Sequence, residues 1–208
     1  MKNNENGRSM VEMLGVLAII GVLSAGGLAG YSKAMFKHKL NSTMDQITML
    51  VTNIRTMYGT QRTYAGLTNA QAFKLGIVPP AIATAEAGPY RNPFKGTVSI
   101  TTSTTKASGA PADSAFVVTY GGLPKEACIA LATADFGSGA GSGFIGVAAF
   151  ASSSSKVDGK DVDNTADSLV YVGTGSTTGN RAEGSAYTMA NAIGACTSEA
   201  NTVSWKFY

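Results

Sequence analysis

From Met13 to Tyr31 the chain runs apolar for nineteen residues, MLGVLAIIGVLSAGGLAGY, with Ser24 the one hydrogen-bonding side chain before the tyrosine. Coiled as α-helix at about 1.5 Å per residue, this run approaches the ~30 Å hydrocarbon core of a bilayer. A single carboxylate, Glu12, stands at its edge. A charge beside an apolar phase is costly to hold there, so it is a functional candidate by default. The alternative is that Glu12 simply snorkels to the membrane surface.

The run is not an ordinary secretory signal. Its hydrophilic head is MKNNENG, and no A-x-A cleavage site closes it. Lys2 and Arg8 precede the run while Lys33, Lys37 and Lys39 follow it, so charge alone does not orient the helix. Gly15, Gly21, Gly26, Gly27 and Gly30 dot the segment. Small residues let helices approach closely in lipid, and glycine weakens a lone helix by up to ~1 kcal/mol each. Both effects point to packing against other helices.

The helical pattern outlasts the hydrophobic one. Phe36, Leu40, Met44, Ile47, Val51, Ile54 and Tyr58 recur at helical spacing, with Asp45, Gln46, Asn53 and Arg55 among the polar residues between them. No proline interrupts residues 1 to 78, and Gly59 offers a stop. The pattern predicts one helix over 8–58, about 75 Å long. Its first half, 8–31, suits lipid or partner helices, and its second half, 32–58, suits the core of a domain.

Beyond Gly59 the texture changes to that of a globular head. Thr68 to Gln71 fits a capping box before a short helix, Ala70 to Leu75. Strand-like runs follow at Thr97 to Thr102, Ala115 to Tyr120, Gly143 to Ala151, Ser168 to Val172 and Val203 to Tyr208. Two helical intervals, Leu123 to Thr133 and Ser185 to Ala195, lie among them, and the glycine-serine stretches around 137–143 and 173–179 read as loops. The class is α+β.

Charged residues make up 14% of the chain and the net charge is +3, without a dense basic cluster. No specific nucleic-acid partner is expected from that pattern. The only histidine, His38, lies between Lys37 and Lys39, with no setting that suggests a triad. The glycine loops lack a phosphate-binding signature. Asp158, Asp161, Asp163, Asn164 and Asp167 depart from calcium-loop spacing and read as a solvated turn. No catalytic residue, metal or cofactor is expected. Two cysteines, Cys128 and Cys196, favour one bridge if the head lies outside the cytoplasm, with two buried thiols as the alternative.

Gly7, Arg8 and the Glu12 that follows resemble the processing region of type IV prepilins. In that family a short hydrophilic leader ends in glycine, and glutamate is the fifth residue of the mature chain within an apolar segment. Arg8, Ser9, Met10, Val11 and Glu12 put the glutamate in that register, and Gly21 matches a further glycine of the segment. Asn92-Pro93-Phe94-Lys95-Gly96 is similar to a turn that precedes the pilin sheet. The stretch from Ala115 to Cys128, with Cys196 and the ending Asn201 to Trp205, resembles the type IVb class related to the toxin-coregulated pilin. Two departures stand out: the leader is shorter than is usual in that class, and the mature chain opens on arginine where the family favours a hydrophobic residue.

The resemblance implies a long N-terminal helix packed on an antiparallel sheet, with Cys128 bonded to Cys196 around the C-terminal region. It implies a leader of residues 1–7, a helix over 8–58 and a head over 59–208. It implies cleavage after Gly7, N-methylation of Arg8 and a role in assembly for Glu12. The implied function is that of a major pilin, a structural subunit of a filament used for adhesion, aggregation or related surface functions. The alternatives are a minor pilin, a type II secretion pseudopilin, or an anchored adhesin that never polymerises. The implied partners are further copies of the chain, a prepilin peptidase and the pilus assembly machinery. The precursor would reside in the bacterial inner membrane and the product in an extracellular filament.

Overall fold

The structure, a computed structural model, describes residues 5–61, 63–103, 113–136, 143–151, 170–172 and 188–208, with the backbone alone at 5–9 and 170–172. The acidic loop of Asp158 to Asp167 and the 173–179 loop fall outside those residues, as does all of the 137–143 loop but Gly143. The chain divides into two compact units, Met1–Asn41 and Ser42–Tyr208. Helix α1, Glu5–Tyr58, contributes its earlier residues to the first unit and its later ones to the second. Its apolar composition and lack of proline sustain the helix throughout.

In the second unit, α1 buries Ile47, Leu50, Val51, Ile54 and Tyr58. Leu50 joins the expected stripe, three residues after Ile47 and four before Ile54, where a helix presents one face. Gln46, expected on a polar face, is buried at 8% exposure. Arg55 is half-buried, with its Nε and Nη2 enclosed.

Helix α2, Asn69–Lys74, begins where the Thr68 side chain accepts from the Gln71 amide at 3.3 Å. That bond satisfies one of the amides a helix start leaves open. Strands β1 (Val98–Ser103), β2 (Ala115–Leu123), β3 (Phe144–Phe150), β4 (Val170–Val172) and β5 (Asn201–Phe207) form one sheet in the order β1-β2-β5-β3-β4. Helix α3, Lys125–Ala132, follows β2 directly, and α4, Met189–Ala195, precedes β5.

The last strand in sequence is thus the central one. Pairs such as Val118↔Trp205 and Val147↔Trp205 bind β5 antiparallel to β2 and to β3. Strand β4 pairs parallel to β3, with Gly146 opposite Val170, so the sheet is antiparallel over four strands and parallel at one edge. A parallel partner needs a connection of a dozen or more residues. The nineteen residues 151–169 meet that requirement.

All seven residues of β5 are buried. Alternation sends Val203, Trp205 and Phe207 to one face of the sheet. On that face Trp205 lies between Tyr120 and Phe136, with centroids 5.8 and 5.4 Å away. A chain of rings links Tyr58, Tyr64, Phe116 and Phe207 at 4.8 to 5.6 Å, so α1 packs there too. Burying each such ring or branched side chain contributes about 1.5–3 kcal/mol. On the opposite face, the Thr119 and Ser204 hydroxyls share a buried hydrogen bond of 2.9 Å.

Candidate functional site

The first unit presents apolar side chains on every side of its helix. Met10, Val11, Met13, Leu14, Val16, Leu17, Ile19, Ile20, Val22, Leu23 and Leu28 are all more than half exposed. The helix is long and apolar enough to cross a membrane, with a segment of mean hydropathy 2.1 near its start. A helix that is apolar all round belongs in lipid or among other helices. Isolated apolar residues on a surface need no explanation, but a continuous patch of this extent marks an interaction surface. Glu12 sits exposed within it, flanked by Val11 and Met13. The backbone is helical at Gly7 and Arg8.

In the second unit, a disulfide joins Cys128 to Cys196 across a sequence separation of 68, with their Cα atoms 5.9 Å apart. Cys128 lies within α3, and Cys196 ends α4. Pro124 precedes the first turn of α3, where a missing amide costs little. Thr188 caps α4 by accepting from the Asn191 amide at 3.3 Å. The bridge therefore clamps two short helices whose inner faces bury Ala127, Leu131, Ala192 and Ala195.

Asn201 closes the region just beyond the bridge. Its Nδ2 donates to the Leu123 carbonyl at 3.1 Å and to the Ser198 carbonyl at 2.6 Å, while its Oδ1 accepts from the Ser198 amide at 3.0 Å. The start of β5 is thereby tied to the end of β2. The sequence marked Asn201 as the first residue of the Asn201 to Trp205 ending, but assigned it no hydrogen-bonding role, although a polar residue opening an apolar strand was a visible cue.

Among the described residues no group of three or more His, Cys, Asp or Glu side chains is placed to hold a metal ion. His38 is exposed on α1. Burial raises the pKa of Tyr58, Tyr64, Tyr90 and Tyr120, all of them packing residues of the head.

The family described as PilS N terminal matches residues 37–207, most of the chain. This chain belongs to the PilS N-terminal family. Among its relatives, the "Major structural subunit of bundle-forming pilus" of Escherichia coli O127:H6 is 25% identical over 143 residues, covering 67% of this PilS-family chain and 69% of the relative. The protein of the same name from Escherichia coli O111:H- matches equally. Among solved structures, "TcpA, a Type IV pilin from Vibrio cholerae El Tor biotype" is 20% identical with a TM-score of 0.49, covering 82% of this chain and 99% of that one. The "type IV b pilin from Salmonella typhi" is 18% identical with a TM-score of 0.46, over 79% and 97%.

Proposed function

We propose that the chain is a type IVb pilin, the major structural subunit that polymerises into a pilus, with no enzymatic role. The observation that carries this reading is the helix of exposed apolar residues from Met10 to Leu28 on a chain of this family. The name of the bundle-forming pilus relative supports it.

In this reading residues 1–7 are a leader, 8–58 the assembly helix and 59–208 the head. A prepilin peptidase cuts between Gly7 and Arg8 and methylates the new amine of Arg8. The precursor waits in the inner membrane, from which the assembly machinery draws it into an extracellular filament. The apolar helix exchanges lipid for neighbouring helices, so transfer changes its solvation little. Glu12 then pairs with the terminal amine of an adjacent copy. One such buried charge left unpaired costs several kcal/mol, so the pair sets axial register more than it adds stability.

N-terminal sequencing of sheared filaments tests processing: the expected start is Arg8, and an intact Met1 start would point to a membrane-anchored protein instead. Replacing Glu12→Ala should leave insertion and cleavage unchanged while filament yield falls at least tenfold. Wild-type piliation in that variant would remove the role assigned to Glu12.

A further inference from the structure

The apolar run of α1 ends on an exposed aromatic ring and a pair of exposed lysines. Tyr31 is 64% exposed, and Lys33, Lys37 and His38 are exposed just beyond it. The Ser32 hydroxyl, between Tyr31 and Lys33, donates to the Leu28 carbonyl at 3.0 Å, so it needs no water there. Tyrosine is enriched where hydrocarbon meets headgroups, its ring apolar and its hydroxyl wet. With Tyr31 at that boundary, the Lys33 Cα stands about 3 Å outside the hydrocarbon and the Lys37 Cα about 9 Å. The headgroup layer is about 5–7 Å deep on each side, and a lysine stem is long enough to reach back into it.

No aspartate or glutamate occurs between Glu12 and Asp45. Neither lysine therefore has a carboxylate three or four residues away, the spacing at which side chains of one helix pair. Nor do the lysines serve insertion, since positive charge after the span opposes a head outside the cytoplasm. Residues two apart on a helix lie on opposite flanks, so Tyr31 and Lys33 are separated by the helix itself. His38, seven residues after Tyr31, shares its flank, and Lys37 shares that of Lys33. One protein surface would meet one flank only. A lipid leaflet meets both.

We infer that Tyr31, Lys33 and Lys37 form a collar that binds anionic phospholipid headgroups in the leaflet facing the head. The lipid phosphate supplies the counter-charge that the helix lacks, and an anionic headgroup supplies it without a competing cation of its own. The collar holds the membrane-resident subunit at one depth until it is drawn out. The inference rests on the membrane-resident precursor of the proposed function and not on polymerisation.

The test places the full chain in phosphatidylcholine vesicles. Electron spin resonance reads how strongly it immobilises spin-labelled phosphatidylglycerol against spin-labelled phosphatidylcholine. The wild type should favour phosphatidylglycerol by about threefold or more, and high salt should erode that preference. Lys33→Gln with Lys37→Gln should lower the ratio by about twofold or more, because each lysine near an anionic surface adds to the attraction. Lys33→Arg with Lys37→Arg should keep the ratio, and Lys74→Gln, on the exposed surface of the head, should leave it unchanged. Equal immobilisation of the two lipids by the wild type would overturn the collar. So would a Gln pair that keeps the full preference, or an Arg pair that loses it. A Gln pair that loses filaments while its lipid preference stays would assign the lysines to a neighbouring subunit and overturn the collar as well. Should the wild-type chain never enter filaments, the pilus reading fails, while the vesicle measurement still decides the collar.

Discussion

Asn92 Nδ2 donates to the Gly121 carbonyl at 2.8 Å, pinning the loop before β1 to the irregular end of β2. Its Oδ1 accepts from the Phe94 and Gly96 amides at 2.9 and 3.0 Å. Gly96 and Gly122 must both be small here, because a Cβ on Gly122 would stand 2.8 Å from the Gly96 Cα. The Asn-Pro-aromatic-x-Gly turn is thus built around one buried amide.

Replacing Asn92→Ala would strand one buried acceptor and two amides. At about 1 kcal/mol for each net hydrogen bond, the loss should be about 3 kcal/mol. Urea unfolding of the head should show a lower midpoint with an unchanged slope.

The disulfide spans a sequence separation of 68 between residues that are fully buried. The chain-entropy model assigns such a closure about 4 kcal/mol. Cys128→Ser should therefore melt well below the wild type under oxidising conditions, and reductant should bring the wild type toward the variant. Equal melting temperatures in oxidising buffer would show that the bridge carries no stability.

Burial pushes the Tyr120 hydroxyl well above its usual pKa. An unfolded tyrosine ionises near pH 10, so above that pH the unfolded chain holds fewer protons than the folded one. Stability should then decline with rising pH, by up to about 1.4 kcal/mol per unit from this residue. Its hydroxyl has no hydrogen-bond partner. Tyr120→Phe should accordingly be close to neutral at pH 7 and should flatten the loss above pH 10, as read by denaturant titrations from pH 7 to 11.

Gly15, Gly21, Gly26, Gly27 and Gly30 would each meet nothing within 4 Å if they carried a Cβ. The single chain therefore gives no steric reason for them, whereas close helix packing in an assembly does. Gly21→Leu should leave head melting and membrane insertion unchanged while reducing filament yield. Undiminished filaments would show that this glycine is incidental.

Much of the architecture was legible in local chemistry. The apolar run and the helical stripe predicted α1, observed over Glu5–Tyr58, and the Thr68 hydroxyl marked the start of α2. The strand-like runs fell within one to three residues of β1, β2, β3, β4 and β5. These features depend on period, side-chain branching and capping over a few neighbouring residues, all of which are written in order along the chain.

By itself, the sequence determined that a long apolar helix with one charge at its edge leads into an α+β head. Tertiary structure decided that β5 would be the central strand, that β4 would run parallel to β3, that Gln46 would leave the polar face for the interior, and that Arg55 would be half-buried with its Nε and Nη2 enclosed. Strand order follows from pairings between residues such as Val118 and Trp205, distant in sequence, which compete with other registers of similar alternation. The Arg55 environment likewise exists only once α1, Gly143 and Phe207 converge, because burial is a property of what packs around a side chain and not of the side chain alone.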